Sequence, residues 1–319
     1  MLSRFLRAAK ATRFDSCAVI FPQPLQPRFR SITAKNAFPA HTPRLMLVSI
    51  IRPRMKVLFI GDIFGSPGRK MVQDHLPHVV ETHKADLVIA NAENAAGGFG
   101  LTPSIAEDLF DLGCHVLTTG NHVWDKREIM DYMTAANGNP GARATRVLRP
   151  ANYSQSVPGK GVFEGVTQSG HGYAVINLQG RVFMHNADDP FRKVEELLKQ
   201  IASKVVLLDF HAEATSEKIA MGWHLDGRVT AVLGTHTHVP TADTRILPQG
   251  TAYQTDVGMT GPFDGVIGVQ KEQIIHRFLT GLPSRFEAAK GDPRFCAVLI
   301  DCDPETGRAH SIQRLMLGE

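Results

Sequence analysis

Five short, largely apolar runs, each giving way at its carboxyl end to polar residues, constrain this chain more than any other feature. They are Val57 to Ile60, Leu87 to Ala90, Val116 to Thr118, Val205 to Leu208 and Val229 to Leu233. Runs of this length with little polar alternation read as strands covered on both faces, and covered faces need flanking helices. The intervening segments supply them. Val72, Leu76, Val79 and Val80 form an i, i+4, i+7, i+8 stripe, and Thr102 followed by Pro103 opens a second helix that carries Ile105 and Leu109. The order repeats, which predicts an α/β fold.

The polar residues past each run are Gly61-Asp62, Asn91-Ala92-Glu93-Asn94, Gly120-Asn121-His122, Asp209-Phe210-His211 and Gly234-Thr235-His236-Thr237-His238. Each has an ordinary reading by itself. Asp62 suits a helix N-cap, Glu93-Asn94 a solvated turn, Asn121 a left-handed turn, and His122 or His211 a satisfied core imidazole. H-x-H alone is a weak motif. Jointly they gather at the carboxyl edge, where open α/β sheets bind ligands. Carboxylates, carboxamides and imidazoles suit borderline divalent ions such as Mn, Fe or Zn. Cys17, Cys114, Cys296 and Cys302 are too scattered for a structural Zn or Fe–S site, and they fit a reducing compartment, the cytoplasm.

This series resembles the calcineurin-like metallophosphoesterases. The runs Ala92 to Gly98, Asp209 to Lys218 and Thr255 to Pro262 resemble, more narrowly, the YmdB-like branch. The resemblance runs from about Met55 to the C-terminus. It implies a β sandwich flanked by helices, with a two-ion centre at the carboxyl edge of the strands. One ion would sit on Asp62 and His238, the other on Asn121, His211 and His236, with Glu93 bridging. The broad superfamily has Asp-x-His where Asp62-Ile63-Phe64 stands, so a ligand is missing, and Asn94 is the candidate to complete the first shell. The resemblance further implies Fe or Mn, with Zn also suited, and small phosphoesters as substrates, cyclic nucleotides such as 2',3'-cyclic AMP among them. A homo-oligomer is a further implication. His122, beside Asn121, is placed to act as general acid. Gly97 and Gly98 let backbone approach a substrate, and no Gly-Lys-Ser/Thr follows them to make a P-loop.

Residues 1–54 carry ten Lys/Arg and one acid, Asp15, so the remainder holds 25 basic and 30 acidic residues, a net of −5. The positive charge therefore belongs to the leading segment. That segment reads as an extension outside the functional protein, with an Arg-rich organellar transit peptide as the alternative; residues 55–319 read as a single metallophosphoesterase domain. No apolar run approaches the ~20 residues that cross a bilayer. A metal-bound regulatory protein without turnover competes with the enzyme, and an RNA-binding protein led by the basic segment is disfavoured because no aromatic-basic motif accompanies it. Further along, 137–170 is expected to be a long functional loop, 173–178 and 181–184 a hairpin closed by Gln179-Gly180, and 129–133, 194–201, the surroundings of Ile219 and 274–278 helices. Thr251 to Thr255 and Cys296 to Ile300 are expected as strands.

Overall fold

A computed structural model describes residues 54–136 and 138–318. Apart from Arg54, the basic extension lies outside the described residues, as do Asn137 and Glu319. In chain order the elements are β1 (Met55–Ile60), β2 (Asp62–Ile63), α1 (Gly65–His83), β3 (Leu87–Asn91), α2 (Pro103–Asp111), β4 (Val116–Thr118) and α3 (Glu128–Ala135), then β5 (Val147–Leu148), β6 (Val162–Val166), β7 (Gly172–Gln179), α4 (Pro190–Leu198), β8 (Val205–His211), α5 (Thr215–Leu225) and β9 (Ala231–Thr235). The rest comprises β10 (Arg245–Ile246), β11 (Ala252–Gln254), β12 (Met259–Pro262), α6 (Lys271–Thr280), β13 (Pro293–Cys302) and β14 (Ala309–Gly318).

The strands make two mixed sheets. The first runs β2-β12-β13-β1-β3-β4-β5 with β14 beside β13; the second runs β10-β11-β9-β8-β7-β6. Strand period decides the layering. Val57, Phe59, Leu87 and Ile89 of the first sheet meet Val175, Val205, Leu207, Ala231 and Leu233 of the second. The alternate residues Leu58, Ile60, Val88 and Ala90 face outward onto Met71, Val72, Leu76 and Val79 of α1 and Leu109 of α2. On the other side Ile176, Val206, Leu208 and Val232 pack under Val194 of α4 and Met221 and Leu225 of α5. Both faces of each sheet are thus covered, which is why these strands read as unbroken apolar runs. Truncating a side chain of the middle layer, such as Phe59→Ala, costs about 3–5 kcal/mol by loss of contacts and the cavity left behind.

The expected α/β sandwich is present, and Thr102 caps α2 by accepting from the Ile105 N–H. Two expectations are corrected. The hairpin is not 173–178 with 181–184. It is β6 with β7, paired from Val162↔Ile176 to Val166↔Gly172, so the 137–170 segment is not all loop. The amides of Arg181 and Val182 are instead captured by the Glu217 carboxylate, and residues 181–184 form no strand. β6 escapes a sequence reading because it is an edge strand carrying Glu164 and Gly165, half-exposed throughout. The terminal hairpin partner β14 and the short β12 also carry no strong apolar run.

Candidate metal centre

The five polar groups meet at the carboxyl ends of β1, β3, β4, β8 and β9. Strand period puts Asn91, Thr118, Asp209, His211 and Thr235 on the inner face, so the apolar middle layer turns polar where it reaches the edge. Asp209 anchors that layer. Its carboxylate accepts from Thr118 Oγ1, from Asn91 Nδ2 at 3.0 Å and from Thr235 Oγ1 at 2.7 Å. Having given its one O–H to Asp209, Thr235 accepts from His211 Nδ1–H at 2.9 Å. The Nε2 of His211 is thereby turned into the site.

The other imidazoles are oriented in the same way, each with one nitrogen engaged and the other convergent. His238 Nδ1–H donates to the Ile267 carbonyl at 2.8 Å, leaving Nε2 beside Asn94 Nδ2 at 3.1 Å. His236 Nε2–H faces Glu213 Oε2 at 3.2 Å, leaving Nδ1 at 3.1 Å from His211 Nε2. Outer partners of this kind fix the orientation of metal-binding histidines. Glu93 Oε1 and Asn121 Oδ1 each lie 3.0 Å from His211 Nε2, and one ligand atom each from Glu93, His211 and His236 falls within a 4.8 Å group. Gly120 makes room for this: a Cβ there would sit 2.1 Å from the His211 ring.

His236 and His238 occupy positive φ, 100° and 65°, a conformation that costs on the order of 1–3 kcal/mol per residue and must be held by surroundings. A buried ion pair holds it. Asp256 Oδ2 accepts from Lys218 Nζ at 2.7 Å, from Thr237 N–H at 3.1 Å and from its hydroxyl at 2.8 Å. Lys218 also donates to the Thr235 carbonyl at 2.7 Å. The loop bearing both histidines is therefore pinned on either side of His236.

Asp62 tests whether the site suits a cation. Its Oδ2 accepts from the His236 amide at 3.2 Å, while Oδ1 is buried with no hydrogen-bond partner among the described residues, 3.9 Å from His238 Nε2. A buried orphan of this kind is costly. Burial pushes the Asp62 carboxyl well above the usual range; His211 opposes this, and Asp256, Glu93 and Asp209 add to it. Burial also opposes ionisation of Glu93, yet the neighbouring His211 charge prevails and holds it down at about 2. His211 is penalised by burial and raised to about 9 by Glu93. His236 is driven down to about 2 by burial and by His211. One imidazolium thus stands where a cation would, among carboxylates and lone pairs, and the residues fit divalent metal.

The structure brings Asp62, Glu93, Asn94, Asn121, His122, His211, His236 and His238 together, with differences in detail. Asn94 presents Nδ2, donating to Glu93 Oε1 at 3.2 Å, so ligation through its oxygen requires the amide to turn over. Gly98 lines the pocket above the cluster; Gly97 lies next to it, and both have positive φ. His122 stands at the mouth with its amide bonded to Glu93 Oε2 at 3.1 Å and its ring edge-on to Phe99. Its Nδ1 lies 2.9 Å from Asp125 Oδ2. A carboxylate only accepts, so Nδ1 donates here, and the residue lines the pocket above the cluster. Sequence reasoning gave no role to Asp125, Thr235, Asp209, Glu213, Lys218 or Asp256. The signals were present in the i, i+3 spacing of His122 and Asp125 and in the shared strand face of Asp209 and His211.

Two sheets face to face, helices outside, and a carboxylate-imidazole cluster at the strands' carboxyl ends define the metallophosphoesterase class. The model of the YmdB-like protein family matches residues 58–315, and the chain belongs to that family. It is 49% identical over 267 residues to the 2',3'-cyclic-nucleotide 2'-phosphodiesterase of Bacillus subtilis, covering 83% of this chain and 98% of the relative. A crystal structure of a hypothetical protein from Thermus thermophilus shares 44% identity at a TM-score of 0.76, covering 83% of this chain and all of that one. That of a novel phosphatase from Mycoplasma pneumoniae shares 34% at 0.78, covering 84% and 95%.

Proposed function

We propose that this chain is a phosphodiesterase that uses two divalent metal ions to hydrolyse small phosphoesters, with 2',3'-cyclic nucleotides as its substrate class. The observation that carries the reading is the convergence of Glu93, His211 and His236 beside the unpartnered Asp62 Oδ1. The substrate class is supported by the name of the Bacillus relative. Asp62, Asn94 and His238 would hold one ion and Asn121, His211 and His236 the other, with Glu93 between them. This donor set admits iron, manganese and zinc alike, and the family resemblance favours iron or manganese. Bound there, divalent ions supply a nucleophile at neutral pH and relieve the charge on the phosphoryl oxygens.

The chain's own residues do the rest. Thr235, Glu213 and the Ile267 carbonyl hold the imidazoles in the tautomers that point lone pairs inward. In its imidazolium form, with Nδ1–H donated to Asp125, His122 delivers its second proton from Nε2 to the departing oxygen, and the Asp125 carboxylate holds the ring and offsets its charge until the proton leaves. Phe64, Phe99, Ile267 and Phe286 wall the pocket of about 340 Å³ above the cluster. No helix among the described residues is long and apolar enough to cross a membrane. Cys114, Cys296 and Cys302 are free and buried, which suits the reducing cytoplasm we take as its setting. Hydrolysis of bis(p-nitrophenyl) phosphate in the presence of Mn tests the reading: turnover is expected, and metal-loaded protein without turnover would make it a regulatory protein instead.

A further inference from the structure

A second cavity of about 960 Å³ meets the cluster at Asn121 and opens away from it between the segments around Asn152 and Asp188. Its walls are fixed rather than loose. Asn152, buried, donates to the carbonyls of Gln179 at 2.8 Å and Asp188 at 2.9 Å and accepts from the Gln179 amide at 2.9 Å. Gln179, also buried, donates to the His185 carbonyl at 3.0 Å and accepts from Tyr153 Oη–H. These carboxamides tie both walls to the end of β7, so the cavity is formed before a ligand arrives and costs little ordering.

Its lining combines the rings of Trp124 and Tyr153 with hydroxyls and carboxamides, Ser154, Gln155, Ser156 and Asn186 among them. Among the described residues that line it there is no lysine or arginine, and Asp188 is present. With His185 beside Asp188 in its lining, this surface offers a phosphate no lysine or arginine and suits a neutral, flat group with hydrogen-bonding edges. The smaller pocket differs: its floor is the ligand cluster, and its remaining walls are mainly phenylalanine, isoleucine and valine, offering a base edge few partners.

Resting on the function proposed above, we infer that this larger cavity is the nucleoside subsite. The phosphate sits at the cluster, and the base stacks on Trp124 with its edge read by the carboxamides of Gln155 and Asn186. Trp124 is then a specificity-determining residue for nucleotides over simple esters. Base–aromatic stacking lost by truncation to alanine typically weakens binding by about tenfold.

The full chain loaded with Mn tests this in two ways. Steady-state kinetics compare 2',3'-cyclic AMP with methyl p-nitrophenyl phosphate, which has no nucleoside. Trp124→Ala is expected to raise KM for the nucleotide about tenfold with kcat within about twofold, and to lower kcat/KM for the nucleotide about tenfold more than for the ester; Trp124→Phe should restore most of the loss. If Phe286→Ala carries the KM effect and Trp124→Ala does not, the base lies in the smaller pocket and the inference falls. The chain has two tryptophans, so in Trp223→Phe the fluorescence reports Trp124 alone without disturbing the cavity. Adenosine 3'-monophosphate should quench it saturably where inorganic phosphate does not. No quenching, or equal quenching by both, contradicts the subsite. Wild type that turns over the ester but not the nucleotide, with quenching intact, contradicts the substrate class and spares the subsite.

Discussion

His122 and the histidines proposed to hold metal differ in what their second nitrogen touches, and that difference separates their effects. His211 spends Nδ1–H on Thr235 and turns Nε2 onto Glu93 and Asn121, whereas His122, in the pocket wall, spends Nδ1–H on Asp125. His211→Ala should therefore lower metal content and turnover together. His122→Ala should leave metal content near normal and slow esters with poor leaving groups on the order of 10² to 10⁴-fold, the usual worth of a general acid. For p-nitrophenyl esters, whose anion departs unaided, the loss should be much smaller; equal loss on both would reassign His122. The proton on His211 gives a second prediction. With its value raised to about 9, metal-free protein at pH 7 carries a proton that a metal must displace. Apparent metal affinity should rise about tenfold per pH unit up to about 9, with a proton released on binding. Without metal the sign reverses: the same proton stabilises the fold fully below the ordinary 6.5, and the contribution is lost as pH rises through about 9. Calorimetry in buffers of different ionisation enthalpy checks this, and pH-independent binding without proton release would contradict it.

The loop after β9 shows how an element serves the site. Gly234 to His238 is legible as a chelating motif, but the strain at His236 and His238 and the Lys218–Asp256 pair that holds it are not, because Lys218 comes from α5 and Asp256 from beyond β11. Removing one partner of a buried pair leaves the other uncompensated, typically at 3–5 kcal/mol. Lys218→Met should lower the unfolding temperature and reduce metal retention at His236 and His238; unchanged unfolding and metal content would show that the pair holds nothing. The same contrast marks the rest of the sequence reading. Strands covered on both faces, such as β1, β3 and β8, were legible because their burial writes an unbroken apolar run. β6, half-exposed at an edge, was not, and Arg181 to Met184 looked like a strand because the Glu217 carboxylate that captures its amides lies 36 residues away from Arg181. Asp62, Glu93, Asn121, His122, His211, His236 and His238 were legible as a group from their joint position at strand ends, and the ligand set among them only through the family resemblance. The residues that orient them were not, since a threonine or glutamate gains such a role only through contacts that the fold creates.

At the scale of the whole molecule, the strand beginning at Met55 lies in the middle of the first sheet, paired with β13 on one side and β3 on the other. We propose that the functional unit starts there. Protein beginning at Met55 should be soluble and turn over like the full chain; loss of soluble protein on truncation would show that the preceding segment contributes to the fold. The two-ion reading joins all three scales, because it needs the residues, the loops that aim them and both sheets that bring them together. Its most direct test is activity against metal equivalents: metal-free protein titrated with Mn while bis(p-nitrophenyl) phosphate hydrolysis and bound metal are measured together. The account predicts that turnover reaches its plateau only at two ions per chain, and that Glu93→Gln lowers occupancy at both sites. Full turnover at one ion per chain, or Glu93→Gln retaining two ions and wild-type turnover, would contradict it.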